Sequence, residues 1–261
     1  MSEVVKVAMD GEVACLLLNR PDAFNAINPE LVEALAERLI SLASDDNVRG
    51  VVVSGEGKAF CAGGDLKRTL SAPQGPGAIF HMLVSHFHQA VLQIRRMSKP
   101  VIAAVNGVAA GGGFSLALAC DFRVMAESAV LVQAYTSSGL CPDGGGTFTL
   151  PRMVGFARAL EILAFDKPIT AERALAWGLA TRVVADGTAL EEAVGMAREL
   201  ARRSLHSFGW AKRLITDSYS NPFEAHLEME RTGLVSCVEH PDGREGLRAF
   251  TEKRKPVFTS G

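Results

Sequence analysis

No charged residue occurs between Val101 and Cys120. The stretch is about as long as a membrane span, which needs roughly 20 apolar residues. Gly107 and Gly111 even stand at the GxxxG spacing of packed membrane helices. Asn106 and the Gly111–Gly113 cluster interrupt it, however, and Lys99-Pro100 and Asp121 bound it. It reads instead as a buried strand over Val101–Val105, a turn at Asn106-Gly107, and a buried helix over Gly111–Ala119. In that helix Phe114, Leu116, Leu118 and Ala119 are apolar nearly all round. A strand and a helix that are both buried on every side need layers above and below them. The chain therefore folds around an α/β core, and no membrane partner is expected.

The flanking sequence agrees. Val13–Leu18, Gly50–Gly55, Phe122–Met125 and Val130–Val132 read as short strands. Asn28 caps a helix that has Pro29 at its first position. Leu31, Leu35, Leu39 and Leu42 form the apolar stripe of that helix. Near Asp186 the character changes to almost continuous helix: Leu190–Arg203, Ser207–Asp217, Phe223–Val238 and Gly243–Lys253. The sequence thus divides into a core over residues 1–188 and a helical region over 189–261 that packs on the core or on a neighbouring subunit. Ser71–Gly77, rich in Pro and Gly, reads as a mobile loop. No repeat of 20–50 residues is evident.

Composition narrows the function. Of 261 residues, 48% are hydrophobic and 21% charged, which excludes a disordered chain. A net charge of −2, with no clustered Lys/Arg stripe, gives no pull towards nucleic acid. The five cysteines form no CxxC pair, which fits reduced thiols in a cytoplasmic setting. The first residues carry no apolar signal-peptide core. His81, His86 and His88 lack zinc spacing, so no metal is expected. Neither a phosphate loop nor GxGxxG is present. Ser115 has no GxSxG elbow around it.

Three glycine-rich turns carry the candidate chemistry. The first is Ala62-Gly63-Gly64-Asp65-Leu66, which follows a buried strand. The second is Gly111-Gly112-Gly113, at a helix start. The third is Gly139-Leu140-Cys141-Pro142-Asp143-Gly144-Gly145-Gly146. Each has a purely structural explanation: tight turns for the glycines, and helix caps for Asp65 and Asp143. The chemical alternative is that Gly64 and Gly112 present backbone N–H groups to a carbonyl oxygen, the second aided by a helix dipole. Asp143 would then serve as the acid/base group, in a pocket walled by Phe60, Leu140 and Tyr135.

Taken in order, these segments resemble the crotonase superfamily, the enoyl-CoA hydratase/isomerase group. The resemblance runs from Leu18-Asn19-Arg20-Pro21 and Asn25-Ala26-Ile27, through Ala59–Asp65, Lys99–Gly107 and Gly144–Thr147, to Glu252–Pro256. It implies a spiral of ββα repeats with a C-terminal helical region, and homotrimers or hexamers built from two trimers. It also implies an acyl-CoA thioester substrate and no cofactor beyond the coenzyme A of the substrate itself. The thioester oxygen would lie between the N–H groups of Gly64 and Gly112. The adenine end would follow Ala62, Gly63, Asp65 and Leu66. Lys253 would reach CoA phosphates, including those bound to a neighbouring subunit.

Typical hydratases of the superfamily place glutamates where this chain has Ser115 and Tyr135, which argues against ordinary hydration. The single acid at Asp143, with Arg244-Glu245-Gly246 and the C-terminal basic run, is similar to isomerase-like members such as those acting on 1,2-epoxyphenylacetyl-CoA. In that likeness Asp143 shuttles a proton between the carbons alpha and gamma to the thioester. The 4-chlorobenzoyl-CoA dehalogenases are a second likeness, with an aspartate nucleophile at 143, a histidine at His88 and a tryptophan where this chain has Tyr135. Hydratase, hydrolase or dehalogenase activity, and acyl-CoA binding without catalysis, stay open as alternatives. The acyl pocket is expected to take its walls from Thr69–Leu83 and Leu131–Leu140.

Overall fold

Strand pairing begins with a hairpin, β1 (Val5–Asp10) antiparallel to β2 (Val13–Leu18), turned at Gly11. The computed structural model describes residues 3–258. Next comes α1 (Pro29–Ser44). The Asn28 side chain accepts a hydrogen bond from the Leu31 N–H at 2.9 Å, and Pro29 opens the helix where its missing N–H costs nothing. Leu31, Leu35, Leu39 and Leu42 are all buried, as the stripe requires.

From β3 (Gly50–Gly55) onward, strands come in pairs, one to each of two sheets, and each pair is followed by helix. β3 precedes β4 (Ala59–Cys61), then α2 (Leu66–Leu70) and α3 (Pro76–Arg96). β5 (Val101–Val105) precedes β6 (Val108–Ala110), then α4 (Gly112–Ala119). β7 (Phe122–Ala126) precedes β8 (Val130–Val132), then α5 (Gly146–Val154) and α6 (Phe156–Phe165). β9 (Ile169–Thr170) runs antiparallel to β8; α7 (Ala171–Ala176) and β10 (Arg182–Val184) close the core. The large sheet has the order β1-β2-β3-β5-β7-β10 and the small one β4-β6-β8-β9. This is the expected spiral of ββα units.

The inner strands of the large sheet, β2, β3, β5 and β7, are covered on both faces, which is why they are largely apolar without alternation. Val51, Val53, Val101, Ala103 and Val105 face the main core with α1, α3 and α4. Val52, Ile102, Ala104 and Val124 face the other way, onto α8 (Ala189–Ala201) through Ala193, Met196 and Ala197. The first helix of the C-terminal region is thus a layer of the core. α9 (Leu205–Asp217), α10 (Phe223–Glu239) and α11 (Pro241–Thr251) follow it. Lys212 anchors α9: its ammonium pairs with Asp121 at 2.7 Å and donates to the Ile94 carbonyl at 2.6 Å. Among the described residues, no helix is long and apolar enough to cross a membrane.

The Ser71–Gly77 loop is shorter than the sequence pattern implies. α3 already starts at Pro76, because proline suits the first position of a helix.

Candidate active site

Two of the three glycine turns touch each other. β4 leads into Gly63, whose φ of +89° is a glycine conformation. A Cβ there would lie 2.9 Å from the Ala110 carbonyl and 3.4 Å from the Gly112 nitrogen, so no side chain separates the turns. Gly64 forms a parallel bridge with Ile27. The Ile27 N–H donates to the Gly63 carbonyl at 2.7 Å, and the Asp65 N–H to the Ile27 carbonyl at 2.9 Å. That pattern turns the N–H of Gly64 itself away from Ile27. Gly112 is the first residue of α4, where an N–H has no acceptor within the helix and the helix dipole favours negative charge.

The third turn is anchored beneath these two. The Ser115 hydroxyl, buried in α4, donates to the Asp143 carbonyl at 2.8 Å. The Tyr135 hydroxyl donates to Oδ1 of Asp143. Burial, followed by the charge of Asp143 and that hydrogen bond, pushes the Tyr135 phenol well above its usual range, so it stays a neutral donor. Gly144 has φ +58°, and a Cβ there would strike the Phe87 ring at 2.3 Å. α5 is capped by Gly145 without any side-chain bond, so Asp143 is not its cap.

One cavity takes its walls from all three turns: Ala62, Gly63 and Gly64; Gly111 and Gly112; Tyr135, Leu140 and Asp143. Ile27, Leu66, Phe80, Leu83, Val84 and Phe87 complete an apolar lining in which Asp143 is the one carboxylate. Cys61 lies under the first turn. Burial pushes its thiol up to about 12, so it is inert as a nucleophile near neutral pH.

Three expected site residues stand outside this cavity. Asp65 caps α2 and pairs with Arg20 at 2.9 Å. Burial pushes the Asp65 carboxyl up, but hydrogen bonds from Arg20 and the Arg68 N–H outweigh it and the net shift is downward. His88 is exposed, because the helical turn carries it off the face on which Phe87 meets the cavity. Lys253 is exposed just beyond α11, with φ +56°.

The wall differs from expectation as well. Phe60 is fully buried in the core, and Thr69 turns back to donate to the Asp65 carbonyl at 2.9 Å. Val84 and Phe87 belong to the lining instead. The signal for them is present: Phe80, Leu83, Val84 and Phe87 repeat at i, i+3, i+4 and i+7. Gln133 is a further buried support. Its side-chain oxygen accepts from the N–H groups of Tyr135 at 3.1 Å and Thr136 at 3.4 Å.

A spiral of strand pairs around two apposed glycine turns with one acid defines a chain of the enoyl-CoA hydratase/isomerase family, to which this protein belongs; the family pattern matches residues 9–261. It is 38% identical over 260 residues to the 1,2-epoxyphenylacetyl-CoA isomerase of Escherichia coli K12, covering 99% of each chain. It is 34% identical to 4-chlorobenzoyl coenzyme A dehalogenase-2 of an Arthrobacter species, over 92% of this chain and 88% of that one. Among solved structures, an enoyl-CoA hydratase from Polaromonas sp. JS666 superposes with a TM-score of 0.93 at 40% identity, covering 98% of this chain and 99% of that one.

Proposed function

We propose that this protein is an acyl-CoA isomerase that moves a double bond from the 3- to the 2-enoyl position, or opens a related ring, through a thioester enolate. The observation that carries this reading is the lining itself: one carboxylate, Asp143, shares an apolar cavity with the partner-free N–H groups of Gly64 and Gly112. Asp143 removes the proton alpha to the thioester. The electron pair moves onto the thioester oxygen, where two donors hold it; each such donor is typically worth ~3 kcal/mol. The proton then returns from Asp143 to the gamma carbon. The reaction is redox-neutral and moves only a proton, so the chemistry asks for no cofactor beyond the CoA of the substrate. Hydration needs a group to orient water and one to supply a proton. The lining holds no second carboxylate for that work, and the hydroxyls of Ser115 and Tyr135 are both engaged with Asp143.

The CoA moiety would run past Ala62, Gly63, Asp65 and Leu66, with Lys253 available to its phosphates. Assembly into trimers or hexamers would use the apolar face that α10 and α11 leave uncovered.

The test is turnover of 3-hexenoyl-CoA beside 2-hexenoyl-CoA and water, with wild type and Asp143→Asn. Wild type is expected to convert the 3-enoyl thioester and form little hydroxyacyl-CoA. Asp143→Asn, which keeps an oxygen for the Tyr135 hydroxyl, should lose at least about 100-fold. Efficient hydration by wild type, or an unimpaired variant, refutes the proposal. Binding of both thioesters with turnover of neither would favour a non-catalytic acyl-CoA-binding protein.

A further inference from the structure

The Asp143 carboxylate does not face the cavity with both oxygens equivalent. Oδ1 is taken by the Tyr135 hydroxyl, while the backbone of the same residue is pinned by Ser115. Tyr135 is itself held on both sides of its peptide unit. Its N–H donates to Gln133 Oε1 at 3.1 Å, and its carbonyl accepts from the N–H groups of Ser138 and Leu140, each at 2.9 Å. Gln133 is 1% exposed, so this frame is not a surface accident. A carboxylate on a glycine-flanked turn would otherwise rotate freely about its last torsion.

We infer that Tyr135 is a positioning residue for the proton transfer: its hydroxyl holds Oδ1 of Asp143 and leaves Oδ2 as the oxygen that meets the substrate. This rests on the acid/base role proposed for Asp143. In the forward step the alpha C–H bond breaks and the Oδ2–H bond forms, with the electron pair delocalised onto the thioester oxygen. In the second step the Oδ2–H bond breaks as the gamma C–H bond forms. Tyr135 keeps its own proton throughout. The high phenol range set by burial and by the neighbouring carboxylate accords with that role. Among the residues lining the cavity, Tyr135 and Asp143 are the only titratable side chains, so their coupling is not shared with a third lining group.

Removing a donor from a charged acceptor destabilises the ionised form. The deciding measurement is a pH titration of the Asp143 carboxyl by carbon-13 NMR, its signal assigned by its loss in Asp143→Asn. In Tyr135→Phe, which keeps the ring in the wall, the midpoint should rise by about one pH unit. Biosynthetic 3-fluorotyrosine, a stronger donor of nearly the same shape, should lower it. Only two tyrosines are present, so that substitution is clean, and it serves if the phenylalanine variant folds poorly. With 3-hexenoyl-CoA, Tyr135→Phe should lose about tenfold in kcat while KM changes less than about threefold. Coincident midpoints in wild type and both altered proteins would overturn the inference, whatever happens to kcat. Full turnover by Asp143→Asn would overturn the acid/base reading instead, independently of the titration.

Discussion

Gly112 and Gly113 are neighbours with opposite constraints. A Cβ on Gly113 would sit 2.1 Å from the Cys61 carbonyl and 2.8 Å from the Cys61 Cβ, inside the wall of β4. Backbone cannot yield there as a side-chain tip would. Gly113→Ala should therefore destabilise the protein by about 3 kcal/mol, read as a lower urea midpoint at unchanged slope. At Gly112 the obstacle is Ile27 Cδ1 at 2.9 Å, the end of a flexible side chain that also lines the cavity. Gly112→Ala should cost no more than about 1 kcal/mol of stability, yet crowd the N–H proposed to hold the thioester oxygen, so kcat should fall at least about tenfold. Equal effects of the two substitutions on urea midpoint would contradict this division. The sequence singled out Gly112 as the member of the triplet that offers its N–H, and Gly112 does line the cavity, but nothing in the sequence showed that Gly113 is jammed. That depends on β4, whose three residues are too few to show a period.

At the scale of elements, legibility followed the range of the forces involved. The cap of α1, its leucine stripe and the apolar strands β2, β3, β5 and β7 are local or periodic signals, and all were readable; the more exposed edge strands β1 and β10 were not. β4, β6 and β9 were not, because each is short and exists through pairing with distant strands. Helix phase decided the fate of His88: one position from Phe87, it is turned out of the cavity that Phe87 closes.

The segment after α11 offers an element-scale test. Arg254 grips Glu245 on α11 through two bonds of 2.6 and 2.9 Å, and the Val257 N–H donates to the same carboxylate at 3.1 Å. Hydrogen bonds from Arg254, then from Val257, hold the Glu245 carboxyl down to about 2. Its folded value lies below the ordinary ~4.3. The tie is therefore fully present above that ordinary value and lost as pH falls through about 2. Exchange of the Val257 amide should be protected at pH 5 and accelerate, beyond its intrinsic pH dependence, towards pH 2. Protection in Glu245→Gln should be weaker and insensitive to pH over that window. Lys253 stands on this tether, so the same variant tests its proposed reach for CoA phosphates through KM.

For the whole molecule, the uncovered apolar surface is the dominant fact. Phe223 is 70% exposed, Leu234 68% and Phe250 83%, all on α10 and α11. Large apolar side chains left exposed in such number on two successive helices mark a contact surface. Light scattering should find three or six chains per particle, and the pair Leu234→Glu with Phe250→Glu should release single chains. A monomeric wild type would remove the basis for that assembly. The spiral has a different consequence. The turns that hold Gly64 and Gly112 follow strands of the small sheet, and the turn that holds Asp143 follows its neighbour β8. Each belongs to a separate repeat with its own helix. A lineage built on this plan can therefore revise one turn, in length or in residue, while the others keep their register, so new chemistry can arise piecemeal on an unaltered frame.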